Sequence, residues 1–155
     1  MGVVDHLAIR EAVASDATAL AACIDAAYAH YEERIPDLPL VSANCAEQIE
    51  TNLVWVAEAE GAIVGALVLI PEDGFMRFAN VAVHPDFRGA GLGSRLLDLA
   101  EFEAVGRGYT EMRLNTHVQM PDNARIYLRR GWVQSGVKGS TVSMTKKLDG
   151  SPAES

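Results

Sequence analysis

Apolar positions along this 155-residue chain change their period several times, and each change marks an element. Leu7-Ala8-Ile9-Arg10 reads as a short first strand. Leu20, Ile24, Ala27, Tyr28 and Tyr31 then recur at helical spacing. Ser15 stands where a hydroxyl would cap that helix. Pro36 and Pro39 interrupt, and Asn44 with Glu47 has the spacing of a capping-box-like start to a short second helix. Leu53-Val54-Trp55-Val56-Ala57 and Ile63 to Ile70 are near-continuous apolar strands joined through Glu60-Gly61, which predicts a hairpin. After a turn from Pro71 to Gly74, Phe75 to His84 reads as a long strand. A helix follows from Leu92 to Val105, with Leu92, Leu96, Leu99 and Phe102 as its apolar stripe and Gly106 and Gly108 at its end.

Thr110 to Thr116 is the next strand. Asp122 opens a helix carrying Ala124, Ile126, Tyr127 and Leu128, which Gly131 closes. Trp132-Val133 and Thr141 to Lys147 read as two final strands around Gly136 and Gly139. The order is β-α-α-β-β-β-α-β-α-β-β. Hairpins first and strand–helix–strand crossovers later imply a mixed α/β sheet with helices on both faces. Residues 1–148 form one expected domain, and residues 149–155 read as a disordered tail.

Composition narrows the class. Nearly half the residues are apolar and 22% are charged, the balance of a soluble globular protein. No apolar run approaches the roughly 18 residues of a membrane-spanning helix, and the first residues lack the basic-then-apolar pattern of a secretory signal. Cys23 and Cys45, the only cysteines, both fall in predicted helices and fit two reduced, buried thiols of a cytoplasmic protein. A net charge of −8 argues against nucleic acid as a general partner. The charge is uneven. Residues 1–76 hold two basic and thirteen acidic residues; residues 77–155 hold eleven and eight. A cationic small molecule suits the first half and an anionic one the second.

The stretch from Val81 to Ser94, Val-Ala-Val-His-Pro-Asp-Phe-Arg-Gly-Ala-Gly-Leu-Gly-Ser, carries the most chemistry. A strand enters, a glycine-rich turn follows, and an amphipathic helix leaves. Free amides at such a helix start form an anion site, bare glycines let the backbone approach the anion, and Arg88 adds a cation that can fork onto phosphate. A P-loop would need Gly-Lys-Ser/Thr, whereas Gly93 is followed by Ser94-Arg95. A Rossmann fingerprint would need glycine or alanine where Ser94 stands, in an opening βαβ unit.

Val-x-Val-x-Pro-x-x-Arg-Gly-x-Gly-x-Gly, here Val81 to Gly93, resembles the acyl-CoA signature of the GNAT superfamily of N-acyltransferases. The element order is similar to that family's from Leu7 to Leu148. The resemblance implies a central mixed sheet of about seven strands with four helices. It implies that the amides of Arg88, Gly89, Ala90, Gly91, Leu92, Gly93 and Ser94 hold the CoA pyrophosphate, and that Val81, Ala82 and Val83 lend backbone groups to the pantetheine arm. A second segment, Asn115-Thr116 followed by Asp122 to Trp132, resembles the family's Asn-x-x-Ala-x-x-Leu-Tyr-x-x-x-Gly-Phe stretch, with Ile126 at the Leu position and Trp132 at the Phe position. By resemblance, Asn115 and Asn123 contact the cofactor and Tyr127 lies near its sulfur.

The reaction so implied is attack of an amine on the acetyl-CoA thioester. Tyr127 is the expected general acid toward the departing thiolate, and the Val83 amide the expected donor to the carbonyl oxygen. No metal is called for. The base is the gap in this reading. Many family members carry Glu on the strand entering the loop, whereas this strand offers Asn80. Glu58, Glu72, Asp73 and His117 are candidates by rough location. The acceptor side falls by resemblance to the first two helices and their loop, where Tyr28 and Tyr31 stand among carboxylates, with Asn80 beside them; aromatics with carboxylates suit a cationic amine. An acetyl-CoA-binding sensor without turnover, and a nucleotide-dependent oxidoreductase, remain as alternatives. Homodimers through a sheet edge or the C-terminal strands are common in the family and are the assembly to test for.

Overall fold

The computed structural model describes residues 7–32, 45–87, 89, 91–118 and 121–148, without the side chains of residues 28, 30–32 and 121–123. Seven strands are seen: β1 (Leu7–Glu11), β2 (Leu53–Ala59), β3 (Ala62–Pro71), β4 (Met76–Val83), β5 (Glu111–His117), β6 (Val133–Lys138) and β7 (Thr141–Lys147). Four α-helices accompany them among the described residues: α1 (Ala17–Glu32), α2 (Cys45–Thr51), α3 (Leu92–Gly106) and α4 (Pro121–Arg129). The chain order is the predicted one. The strands make one mixed sheet in the order β1-β2-β3-β4-β5-β7-β6. The chain divides into two compact units, one of residues up to Leu69 with Asn80–Leu99, the other of Ile70–Ala79 with the residues from Ala100 onward.

In the first unit, β1 and β3 flank β2 antiparallel, from Leu7↔Ala59 to Glu11↔Trp55 on one side and from Leu53↔Leu69 to Ala59↔Ala62 on the other. The apolar runs of β2 and β3 are buried almost throughout, as strands covered on both faces must be. One face packs Val54, Val56, Ala66, Val68 and Ala82 against Leu20, Ile24 and Ala27 of α1 and Cys45 of α2. Cys23 and Cys45 are both free and buried. Burial pushes the Cys23 thiol up to about 11 and raises Cys45 as well, so both stay protonated and inert.

The start of α1 corrects one expectation. Ser15 lies exposed inside a 3-10 turn, Ala14–Asp16, and caps nothing. Asp16 closes that 3-10 turn ahead of α1: its carboxylate accepts from the Val13 N–H at 2.8 Å, while its own N–H donates to the Val13 carbonyl at 2.8 Å. Arg10 on β1 clamps the same carboxylate with both terminal nitrogens, at 2.8 and 3.1 Å, and reaches Glu58 on β2 at 3.0 Å. The sequence pattern points to Ser15 alone; Asp16 takes its place because Arg10, held on β1, pairs with its carboxylate.

In the second unit, β5 pairs antiparallel with β7 along its whole length, Glu111↔Lys147 to His117↔Thr141, and β6 pairs with β7 through a register shift between Gln134 and Gly136. Gly136 therefore lies within β6, and the turn is made at Gly139 (φ 61°). β4 joins β5 in parallel at Met76↔Met112 and Arg77↔Arg113, at the head of both strands. Met112, Leu114 and Met144 are buried on one face. Lys146 crosses that face to bond Glu101 of α3 at 2.9 Å and the Arg130 carbonyl at 2.5 Å. On α3 the buried side is Leu92, Leu96, Leu97, Ala100 and Ala104, while Phe102 is 73% exposed. At about 100° per residue, Ala100 marks the centre of that arc and Phe102 falls nearly opposite it. The predicted stripe was rotated because two small alanines, rather than the larger Leu99 and Phe102, face the sheet.

Candidate active site

β4 ends at Val83, and the chain then makes a 3-10 turn at Pro85–Phe87 before α3 begins at Leu92. Gly89 and Gly91 have φ of 84° and 83°, the left-handed region that only glycine enters without strain. Open space surrounds the position of a Cβ at both, so conformation rather than crowding calls for glycine there. Gly91 is the residue from which α3 springs, its carbonyl accepting from the Arg95 N–H at 3.1 Å. The first-turn amides that follow, Leu92, Gly93 and Ser94, have no helical carbonyl behind them and carry the partial positive charge of the helix end. Gly93 sits close over the strand, its Cβ position 3.9 Å from a methyl of Val83. Ser94 is exposed. Arg88 and Ala90, both predicted phosphate contacts, lie outside the described residues.

What seats this turn was not predicted. Gly65, inside β3, has Leu92 Cδ2 2.9 Å, the Ala57 Cβ 3.3 Å and the Ala82 carbonyl oxygen 3.4 Å from where its Cβ would be. A side chain there would force the Leu92 side chain to shift and crowd Ala57 and the Ala82 carbonyl. An isolated glycine within a strand pattern was the available signal. On β4, Ala82 is buried against the α1 side, while Val81 and Val83 are half-buried.

The other predicted residues belong to the second unit, apart from Asn80, Tyr28 and Tyr31 in the first. Tyr127, on α4, is 7% exposed and meets Phe78 edge-on at 5.8 Å and 75°, and Trp132 at 5.8 Å and 61°; Phe78 and Trp132 meet at 6.1 Å. The Tyr127 carbonyl accepts from the N–H groups of Arg130 (3.0 Å) and Trp132 (3.1 Å), so the turn after α4 folds the indole back beside the phenol. The Trp132 Nε1–H is buried without a hydrogen-bond partner among the described residues. Asn115 is exposed on β5, and its side-chain oxygen accepts from the Ser143 hydroxyl at 3.0 Å. Asn80 is half-buried on β4 and takes part in an interaction there. Asn123, Tyr28 and Tyr31 lie on α4 and α1, with side chains outside the described residues.

The carboxylates considered as bases are largely committed. Glu58 pairs with Arg10 at 3.0 Å and Glu72 with Arg77 at 2.9 Å. Arg77 and Arg113 also flank the Phe75 ring at 5.4 and 4.1 Å from its centre. Asp73 is exposed in the preceding turn, and His117 closes β5 opposite Thr141. Asp16, clamped by Arg10, is held below the usual carboxylate range and cannot accept a proton near neutrality.

A strand, a left-handed glycine turn and a bare helix start define a protein that can hold an anionic, phosphate-bearing ligand, on a mixed seven-stranded sheet. A family model described as an acetyltransferase (GNAT) domain matches residues 50–134, more than half the chain, and the chain belongs to that family. An acetyltransferase of Agrobacterium fabrum is 31% identical over 123 residues, covering 77% of this chain and 88% of that protein. The IAA acetyltransferase of Azospirillum brasilense is 31% identical over 86 residues, 54% of this chain and 56% of that protein. The amino-acid acetyltransferase of Shewanella oneidensis is 37% identical over 67 residues, 42% of this chain and 15% of that protein. Among solved structures, the PaiA N-acetyltransferase of Thermoplasma acidophilum, in complex with coenzyme A, superposes with a TM-score of 0.79 over 91% of this chain and 98% of that one, at 21% identity. At that identity the likeness shows the fold.

Proposed function

We propose that this chain transfers an acetyl group from acetyl-CoA to the primary amine of a small, cationic acceptor. The observation that carries the reading is the pair of left-handed glycines, Gly89 and Gly91, between β4 and α3, in the stretch that the family model spans. The thioester supplies an activated acyl group; the remaining work is done by the chain. The amides from Arg88 to Ser94 hold the pyrophosphate, and the backbone of Val81, Ala82 and Val83 holds the pantetheine arm. The Val83 N–H donates to the thioester carbonyl oxygen and withdraws charge from the carbon under attack. Asn115 and Asn123 orient the arm. Tyr127 gives its proton to the departing thiolate; a phenol is ordinarily protonated at neutral pH, and Phe78 and Trp132 fix its ring. Support for coenzyme A comes from the complex of the Thermoplasma relative.

Acceptor binding is assigned to Tyr28, Tyr31 and Asn80. The excess of eleven negative charges in residues 1–76 favours a cation. No protein base is assigned, because Glu58 and Glu72 are each tied to an arginine and Asn80 cannot take a proton. The attacking amine gives up its proton to solvent before it meets the thioester. The test is thiol release from acetyl-CoA across polyamines, amino acids, aminoglycosides and anionic acceptors. Release with cationic amines is expected; a clear preference for anionic acceptors overturns the acceptor class, and binding without release overturns the activity.

A further inference from the structure

We propose that His84 is a positioning residue for acetyl-CoA, a role that rests on the function just proposed: its imidazole is the side-chain acceptor that shapes the turn leading into the phosphate-binding amides. The residue ahead of a proline is confined to extended backbone, so Pro85 presets the start of the turn. The His84 N–H donates to the Val64 carbonyl at 2.8 Å and ties that start to β3. The His84 carbonyl accepts from the Phe87 N–H at 2.8 Å, and its ring Nδ1 accepts from the Asp86 N–H at 3.1 Å. The imidazole and Phe87 rings meet edge-on at 6.4 Å and 83°. The side chain thus fastens Asp86 and meets the Phe87 ring, while the backbone carbonyl closes the turn at Phe87, one residue before Arg88.

A side-chain acceptor bonding the N–H two residues on is the device that Asn and Asp usually supply in turns. Here a histidine does it. Its other side lines an open cavity of about 370 Å³ with Arg10, Asp16, Cys23 and Glu58, so the ring is not wedged into the core. Trimming it removes the acceptor and leaves the packing of α1 on the sheet in place.

Geometry makes the role separable from bulk. Asn carries its amide oxygen on the same atom as the histidine Nδ1, whereas Gln places its amide one carbon further out. The experiment is calorimetric titration of wild-type, His84→Ala, His84→Asn and His84→Gln proteins with acetyl-CoA, with unfolding midpoints measured without ligand. Loss of one hydrogen bond that preorganises the site predicts a Kd raised about five- to tenfold in the Ala and Gln variants. The Asn variant is expected within about twofold of wild type. Unfolding midpoints should stay close together. Ala and Asn variants with the same affinity overturn the proposal, as does a weakened affinity that follows the loss of unfolding midpoint. A wild-type protein that fails to bind acetyl-CoA overturns the function reading and this role with it; tight wild-type binding that His84→Ala does not weaken overturns the role of His84 alone.

Discussion

Tyr127 and Trp132 share one aromatic cluster but answer different questions. Tyr127→Phe keeps the ring between Phe78 and Trp132 and deletes the proposed proton donor. Removing a general acid of this kind is expected to lower turnover by about 100-fold or more while acetyl-CoA affinity holds within about twofold. Steady-state thiol release together with calorimetry checks it, and unchanged turnover sinks the acid assignment. The Trp132 N–H is buried with no partner among the described residues, so a phenyl ring there forfeits no hydrogen bond seen among them. Trp132→Phe should therefore lie within about 1 kcal/mol of wild type despite its smaller area. Trp132→Ala, which opens a cavity, should lose about 3–5 kcal/mol in urea unfolding. Asp16 belongs to the same scale. Arg10 lowers its pKa in the fold, so the stability it contributes is fully present above the unfolded value of about 4 and is lost as pH falls through the depressed folded one. Asp16→Ala should cost about 1–3 kcal/mol at pH 7, with the gap to wild type narrowing below about pH 4. A gap that stays constant down to acid would mean that the Arg10 clamp contributes nothing.

At the scale of elements, the strand–turn–helix from β4 to α3 concentrates the demands on sequence. Gly91→Ala places a Cβ in open space but at φ 83°, so the penalty is conformational, about 1–2 kcal/mol, and should appear as weakened acetyl-CoA binding with little loss of fold stability. Gly65→Val should do the reverse, displacing Leu92 and destabilising the protein by about 1–3 kcal/mol in denaturant titration. If the two variants behaved alike, the separation of turn from seat would be wrong. The same contrast explains what the sequence made legible. Gly89 and Gly91 announce themselves because a left-handed turn before a helix is a local property, written in adjacent residues. The strands of the first unit announce themselves because both faces are covered and apolar residues run unbroken. Gly65, the cap at Asp16 and the true buried arc of α3 were not legible. Each is decided by a packed partner: Leu92 for Gly65, Arg10 (six residues from Asp16 but held on β1 beside Glu58) for the cap, and the sheet that prefers Ala100 and Ala104 to Phe102 on α3. Local period says which residues are apolar, and only the packed partner says which of them face inward.

At the scale of the whole molecule, the charge division and the missing base make one argument. On the proposed acceptor class, an acidic first half would draw a protonated amine, yet only the neutral amine attacks a thioester. A protein base would resolve this by taking the proton, and two of the candidate carboxylates are paired with arginines, Glu58 with Arg10 and Glu72 with Arg77. On the proposed mechanism deprotonation is left to solvent, and the pH dependence carries the signature of the acceptor. The value of kcat/KM should rise with pH along the titration of the amine itself. For two acceptors whose amine pKa values differ by about 2 units, the two profiles should be displaced by about the same amount. Glu58→Gln and Glu72→Gln should leave the midpoint of each profile where it was, even if they lower stability by removing an ion pair. A midpoint that stays fixed when the acceptor is changed, and that moves when a particular carboxylate or His117 is replaced, would identify a protein base that the fold keeps by another route.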